Sequence, residues 1–425
     1  MTGTSIVRPV LKIGAQGIKS IRDYTEIEVA PLTVLAGANS SGKSSLLQPF
    51  LMVKQTLEAP YDPGPLLING ANTSFSAVSE MLWHGSGRGT ASDLKVMFDD
   101  GRGGRTTLTF STGERGMNLV RQEVVLRSGK KSNLVPGSKK KAMEASISDE
   151  YVNIFKDLLK DRDLELNRWR SFFQVSIKDL NFPLDGPNAM SQAATSLIHL
   201  PGLRDVPERF YPATEVSDVY PGVFQPYVAS VIAAWENKKD PRLAQLGNQL
   251  SDLGLTWKVR ARRLDDTRVA LVVGRLPRPQ QGGALDLVNI ADVGLGVSQT
   301  LPILVALLAA SPGQIVLLEQ PEIHLHPRAQ VALADVLLDA ARRGVYVVTE
   351  THSNLLLRAI QERVASDRKM ANMVRLHWFS RDYDGVTNVS SSTLDENGAF
   401  GDWPVDFADI ELDIEDRYLN ALANE

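Results

Sequence analysis

The stretch Gly37-Ala38-Asn39-Ser40-Ser41-Gly42-Lys43-Ser44 constrains the fold of this chain more than any other. It reads G-x-x-x-x-G-K-[ST]. It lies between a β-rich run, Leu32-Thr33-Val34-Leu35, and a helix-like stretch over 44–57. A strand, a glycine turn and a helix in that order let backbone N–H groups converge on phosphate oxygens. The helix start adds the positive end of its dipole. Gly37 to Gly42 would cradle the phosphates, with Ser45 just behind them. Lys43 would reach the β- and γ-phosphates, and the Ser44 hydroxyl would face Mg2+.

Such a loop needs a carboxylate at the end of a buried strand to hold the metal. Ile315-Val316-Leu317-Leu318-Glu319 supplies it. A helix over 327–343 and a second strand, Val345 to Val348, follow. Strands alternating with helices predict a parallel α/β sheet, which binds ligands at the C-terminal ends of its strands. The residue after Glu319 is Gln320, where a catalytic base is expected. A carboxamide takes no proton at neutral pH, although it can orient a water. Three readings stand: Gln320 positions water, Glu322 or His352 assists, or a glutamate has been changed to trap nucleotide. His352 follows the second strand in Thr349-Glu350-Thr351-His352-Ser353 and is placed to donate to a γ-phosphate or its attacking water. His324 and His326 read as a tight loop before a helix opened by Pro327, rather than as a zinc site.

Elsewhere, 93–127 alternates apolar and polar in short runs, which predicts an antiparallel sheet. Residues 149–175 read as helix, from the spacing of Tyr151, Ile154, Phe155, Leu158 and Leu159. Residues 222–252 read as helical, 255–275 as β and 297–310 as an apolar helix. Two basic clusters stand out: a loop over 127–141 with Arg127, Lys130, Lys131, Lys139, Lys140 and Lys141, and the set Lys258, Arg260, Arg262, Arg263 and Arg268. Either could meet DNA phosphates, with salt-dependent, sequence-tolerant binding. There is no long heptad run.

Composition closes off several classes. The chain has no cysteine, so no disulfide scaffold, thiol nucleophile or thiolate metal site. Its net charge of −4 does not mark a general nucleic-acid binder. Its most apolar run, Leu301 to Ala310, is too short to span a bilayer, and no signal peptide is evident. The expectation is a soluble, cytoplasmic protein.

Taken together, GANSSGKSS (37–45), DVGLGVSQTLP (292–302), LLEQPEIHLHP (317–327) and TETHS (349–353) resemble ABC-type ATPases of the SMC-like and OLD-like branch, an AAA-type group. LDENGAFGDWPVDF (394–407) resembles the end domain of one bacterial subgroup, and 200–212, with Arg204 and Arg209, a recurring segment of it. The resemblance implies an ABC-type P-loop ATPase head with an antiparallel β lobe and a mixed, largely helical insertion. The head would divide into 1–130, an insertion over 131–280, and 281–425 with an acidic tail.

It further implies ATP and Mg2+ as cofactors and a head-to-tail homodimer or higher oligomer. In that pair the loop of one subunit faces Gly294, Gly296, Ser298 and Gln299 of the other. The family's metal-sensing loop glutamine has no clear match; Gln48 and Gln55 lie too early. OLD-type nucleases carry a further Toprim domain, for which the stretch after His352 is too short. The expected function is an ATPase switch, slowed by Gln320, that controls a partner effector such as a nuclease in anti-phage defence. The alternatives are a DNA-repair or chromosome-associated ATPase without a nuclease partner, a transport ATPase head, and a non-hydrolysing scaffold.

Overall fold

The computed structural model describes residues 9–400 except 86–88, 115, 157, 158, 160, 161, 179, 181, 185–187, 277–285 and 396, together with 417, 418 and 420. Among these, a central six-stranded sheet runs in the order Ile198–Leu200, Ile315–Glu319, Tyr346–Glu350, Leu32–Gly37, Val374–Arg381, Thr387–Thr393. The first five are parallel, and the last is antiparallel to its neighbour.

The sheet is covered on both faces, which is why its inner strands are apolar without a break. Alternation sorts their side chains. Ile315, Leu317, Tyr346 and Val348 join the core that holds the Lys43–Glu58 helix. Val316, Leu318, Val345 and Val347 join the opposite core, with the helices Leu295–Ala309, Pro327–Arg343 and Asn354–Ser366. The same period of two carries Glu319 and Glu350 to the Lys43–Glu58 side. Tyr346–Glu350 runs two residues beyond the predicted strand end.

A second, antiparallel sheet packs on the far side of the Lys43–Glu58 helix. Its order is Thr25–Val29, Leu11–Gln16, Asp93–Asp99, Arg105–Gly113, Gly116–Val125, Lys131–Leu134. The expected basic loop over 127–141 thus contains its edge strand, where lysine discourages further pairing.

The middle region departs from expectation at one point. Of the long predicted helix, Asp149–Ile154 is α-helical, as are Lys156 and Leu159, but Leu164–Trp169 and Phe172–Ile177 form an antiparallel hairpin. Phe172, Phe173, Val175 and Ile177 are all buried, as suits a short β-rich apolar run rather than a helix face. Leu158 lies outside the described residues, as does most of the acidic tail. The helical stretch over 222–252 is two helices, Val228–Lys238 and Pro241–Asp252, broken at Lys239 in the left-handed region. No helix among the described residues is long and apolar enough to cross a membrane.

Candidate functional site

The loop after Leu32–Gly37 turns on backbone that favours glycine. Gly37 has φ 136° and Gly42 φ 104°, and Ser40 adopts φ 60°. A Cβ on Gly42 would lie 2.3 Å from Thr387 Oγ1. Thr387 is what shapes the turn from outside: its Oγ1 lies 2.8 Å from both Ser41 O and Ser20 Oγ. The helix that follows has no side-chain cap at Gly42, so its first N–H groups stay available to an anion. Lys43 Nζ donates to Gly37 O at 3.0 Å and to Ala38 O at 2.8 Å, which folds it across the loop. An open cavity of about 560 Å3 lies here, lined by Ser40 to Ser45 and by Gln48. The Ser41 hydroxyl is buried with no hydrogen-bond partner among the described residues. These are features that a phosphate chain would satisfy.

Gln48, one turn after Ser44, therefore does face the cavity, and its Oε1 is unpartnered. Gln55 is structural: it accepts from the backbone N–H of Asn72 and Thr73.

Parallel pairing sets Glu319 opposite Glu350. Ser44 Oγ donates to Glu350 Oε2 at 2.7 Å, and Lys43 Nζ is 3.9 Å from Oε1. Burial pushes the Glu350 carboxyl above its usual range, Ser44 and Lys43 oppose it, and the charges of Glu319 and Glu322 add to it. For Glu319, burial also pushes upward, but His199, the Gly202 N–H and Arg204 outweigh it and hold the carboxyl below the usual range. Its oxygens lie 3.2 Å from His199 Nε2 and 3.1 Å from the Gly202 nitrogen.

His199 is buried, with Nδ1 3.0 Å from Asn72 Oδ1. The Asn72 Nδ2 is left without a partner. Turning that amide over presents Nδ2 to His199 Nδ1 and leaves Nε2–H to donate to Glu319.

Gln320 is held at φ 45°, a strained conformation for a non-glycine residue. Its N–H donates to Glu350 O at 2.8 Å. Arg204, which is buried, donates to Glu319 O and Gln320 O, each at 3.3 Å. Arg204 thus braces the strand end from the side. Arg209 pairs with Asp292 at the surface. Glu322 Oε1 accepts the His352 N–H at 2.9 Å, while its Oε2 has no hydrogen-bond partner among the described residues. Burial, and then the Lys43 charge, lower the His352 pKa and favour its neutral form. His326 caps the Pro327–Arg343 helix, and His324 sits at φ 68° in the loop before it.

Gly294 is the uncapped start of the Leu295–Ala309 helix. Ser298 Oγ donates to Leu295 O, and Gln299 Nε2 to Asp205 O. None of Gly294, Gly296, Ser298 or Gln299 lines the loop cavity of its own chain. The second basic cluster lies on and beside the antiparallel hairpin Val259–Arg263 and Arg268–Gly274, and three of its five cations are paired: Arg260 with Glu236 of the Val228–Lys238 helix, Arg263 with Asp266, and Arg268 with Asp265.

A family model described as "AAA domain, putative AbiEii toxin, Type IV TA system" matches residues 134–358, more than half of the 425 residues. The chain belongs to this AAA-domain family. Within the matched span lie Glu319, Gln320 and His352; the loop Gly37–Ser44 precedes it. The AAA domain is that of an ATPase, in a mixed α/β P-loop fold. Among solved structures, an SMC head bound to the C-winged helix domain of ScpA matches with a TM-score of 0.48 and 14% identity, over 91% of this chain and 98% of that one. The Smc head of Pyrococcus furiosus, bound to the C-terminal domain of ScpA, gives 0.45 and 13% over 91% and 96%. The SMC head of Thermotoga maritima gives 0.40 and 12% over 90% and 98%. No curated protein matches the chain in sequence.

Sequence reasoning missed Glu350, His199, Asn72 and Thr387 as parts of the site. Glu350 was within the quoted TETHS, but the strand was ended before it. No motif signals the other three; His199 and Thr387 arrive through sheet pairing, and Asn72 from the loop that follows the Lys43–Glu58 helix.

Proposed function

We propose that the chain is an ATP-binding and ATP-hydrolysing switch that pairs head-to-tail with a second copy and controls an effector in trans. One observation carries the reading: a buried lysine, Lys43, folded across a glycine turn at an uncapped helix start, beside an open cavity.

Backbone N–H groups from Ser41 to Ser45 receive phosphate oxygens, and Lys43 neutralises them. Ser44 and a strand-end carboxylate, Glu319 in the first instance, hold the metal. A bound Mg2+ supplies charge neutralisation on the β- and γ-phosphates. Among the described residues no three histidine, aspartate or glutamate side chains converge on a metal. Mg2+ does not require them, because it takes one or two carboxylates and completes its shell with phosphates and water. Gln320 orients the attacking water but takes no proton, which makes turnover slow. His352, neutral, donates to the γ-phosphate side.

Gly294, Gly296, Ser298 and Gln299 meet the nucleotide of the other copy; in their own chain they stand apart from the cavity. Residues 1–130 and 281–425 serve as the two halves of the head, and 131–280 as the region that senses the effector. The family's description names a toxin of a toxin–antitoxin system. That supports an effector that harms the cell or an invader, of which a nuclease in anti-phage defence is the class we favour.

The test is ATP turnover by the purified chain beside Lys43→Ala and Gln320→Glu. Turnover lost in Lys43→Ala supports a cycling switch. Activity gained only in Gln320→Glu means that the chain binds and holds ATP. Lys43→Ala turning over like the parent, or a chain that stays monomeric with bound ATP, would sink the reading.

A further inference from the structure

Mg2+ at a loop of this kind sits at the hydroxyl that follows the lysine, so the residue already touching that hydroxyl is informative. Here it is Glu350, 2.7 Å from Ser44 Oγ. The sheet order explains why. The strand carrying Glu350 pairs directly with the strand that leads into the loop, and the strand carrying Glu319 lies one place further out. Both carboxylates point to the Lys43–Glu58 side, so Glu350 stands between Glu319 and Ser44.

Glu319 is committed elsewhere, to His199 Nε2 and to the Gly202 N–H. Moving it to Ser44 would break both hydrogen bonds and bring it past Glu350. Three carboxylates (Glu319, Glu322 and Glu350) share this largely buried edge with Lys43, Arg204 and Lys19, the last of which acts on Glu319. Both terminal nitrogens of Arg204 are directed to backbone carbonyls. Glu350, unlike Glu319, lines the cavity beside Ser44. Glu322 is 8% exposed, and its Oε2 has no hydrogen-bond partner among the described residues. A buried carboxylate oxygen without a donor is costly unless a cation joins it.

We propose that Glu350 supplies the carboxylate that meets Mg2+ at Ser44, with Glu319 as an outer member held in place by His199. The assignment rests on the nucleotide-site reading above and deepens it. Glu350 then does in this chain what the carboxylate after Leu318 is expected to do from sequence. The site draws its metal ligands from adjacent elements: the helix start and the strand beside the loop.

The experiment is nucleotide binding by the full chain, measured by calorimetry with ATP in EDTA and then across a Mg2+ series. Mn2+ uptake by the nucleotide complex is followed in parallel by electron paramagnetic resonance. Glu350→Gln removes one negative charge beside the phosphates, so it should bind metal-free ATP as well as or better than the parent. Its half-saturating Mg2+ and Mn2+ should rise by about 10–100-fold. Glu319→Gln should shift them less.

A Glu350→Gln variant with the parent's metal requirement overturns the assignment, and so does a larger shift in Glu319→Gln. If Glu350→Gln does not fold, Glu350→Asp keeps the charge but withdraws the carboxylate by one methylene. A raised Mn2+ requirement in it supports the assignment, and an unchanged one overturns it. Lys43→Ala binding ATP like the parent, or a parent that binds none, would defeat the nucleotide reading itself. A failure confined to the Glu350 variants leaves that reading intact.

Discussion

Glu319 and Glu350 are register partners on adjacent parallel strands, yet each accepts from a different part of the chain. Glu350 takes the Ser44 hydroxyl from the loop, and Glu319 takes His199 and the Gly202 N–H from the middle region. Burial acts on both. Partners reverse its effect at Glu319 and fail to reverse it at Glu350. Two carboxylates of one motif edge thereby acquire different electrostatic characters, and each is open to separate perturbation.

At the loop, Gly42→Ala places a methyl group at a φ of 104° and against Thr387 Oγ1. We expect a stability loss of about 1–3 kcal/mol and weakened ATP binding. Urea denaturation reads the first and calorimetry the second. A variant with the parent's midpoint and affinity would show that neither the backbone angle nor Thr387 holds the turn.

At the outer edge, His199→Phe leaves Glu319 with the Gly202 N–H alone and leaves Asn72 facing an apolar ring. The expected cost is about 1–3 kcal/mol, since a buried polar group loses its partner. His199→Gln, which retains a donor, should recover part of it. Equal midpoints for Phe and Gln variants would mean that His199 contributes packing only.

Acid should destabilise the protein through His377. Its Nε2 donates to Glu28 O at 2.7 Å, and its Nδ1 lies 2.8 Å from Ser391 Oγ, an arrangement that suits the neutral ring. Burial lowers its pKa below the ordinary value, so the unfolded chain binds the proton more readily. Its contribution is complete above about pH 6.5 and is lost as the pH falls toward the lower folded value. Thermal midpoints between about pH 5 and 7.5 should fall more steeply for the parent than for His377→Gln. Parallel slopes would remove His377 from the account.

The two basic clusters should separate on a polyanion column. Arg260, Arg263 and Arg268 already face Glu236, Asp266 and Asp265. Lys131, Lys139 and Lys141 have no acidic partner among the described residues. Replacing these lysines by alanine should lower the salt needed for elution from heparin, whereas Arg260→Ala with Arg268→Ala should not. The reverse order would place the polyanion surface on the hairpin.

Much of this was legible in the chain itself. The loop, its helix, the Glu319 strand and the alternation toward a parallel sheet all follow local patterns that tertiary context leaves intact. What escaped did so for identifiable reasons. The strand through Val348 was stopped at its last apolar residue, although Thr349 and Glu350 continue the pairing beside Glu319. The 164–177 hairpin reads as helix because the apolar spacing over 151–159 carries no signal of where that helix stops. His199 meets Glu319, with Asn72 behind it, only because Ile198–Leu200 joins the sheet edge, and no spacing in the sequence encodes that union.

The place of Leu32–Gly37 in the sheet has a consequence for biosynthesis. Both of its neighbours, Tyr346–Glu350 and Val374–Arg381, emerge from the ribosome more than three hundred residues later. Until then the strand that carries the phosphate loop has bare edges and Ser44 has no Glu350. A nascent chain can build the antiparallel sheet early, because all its strands lie before Val135. It cannot complete the sheet around the loop until Tyr346–Glu350 and Val374–Arg381 have been made. A nascent chain shorter than 346 residues therefore carries the loop with neither of its strand neighbours and with no carboxylate against Ser44.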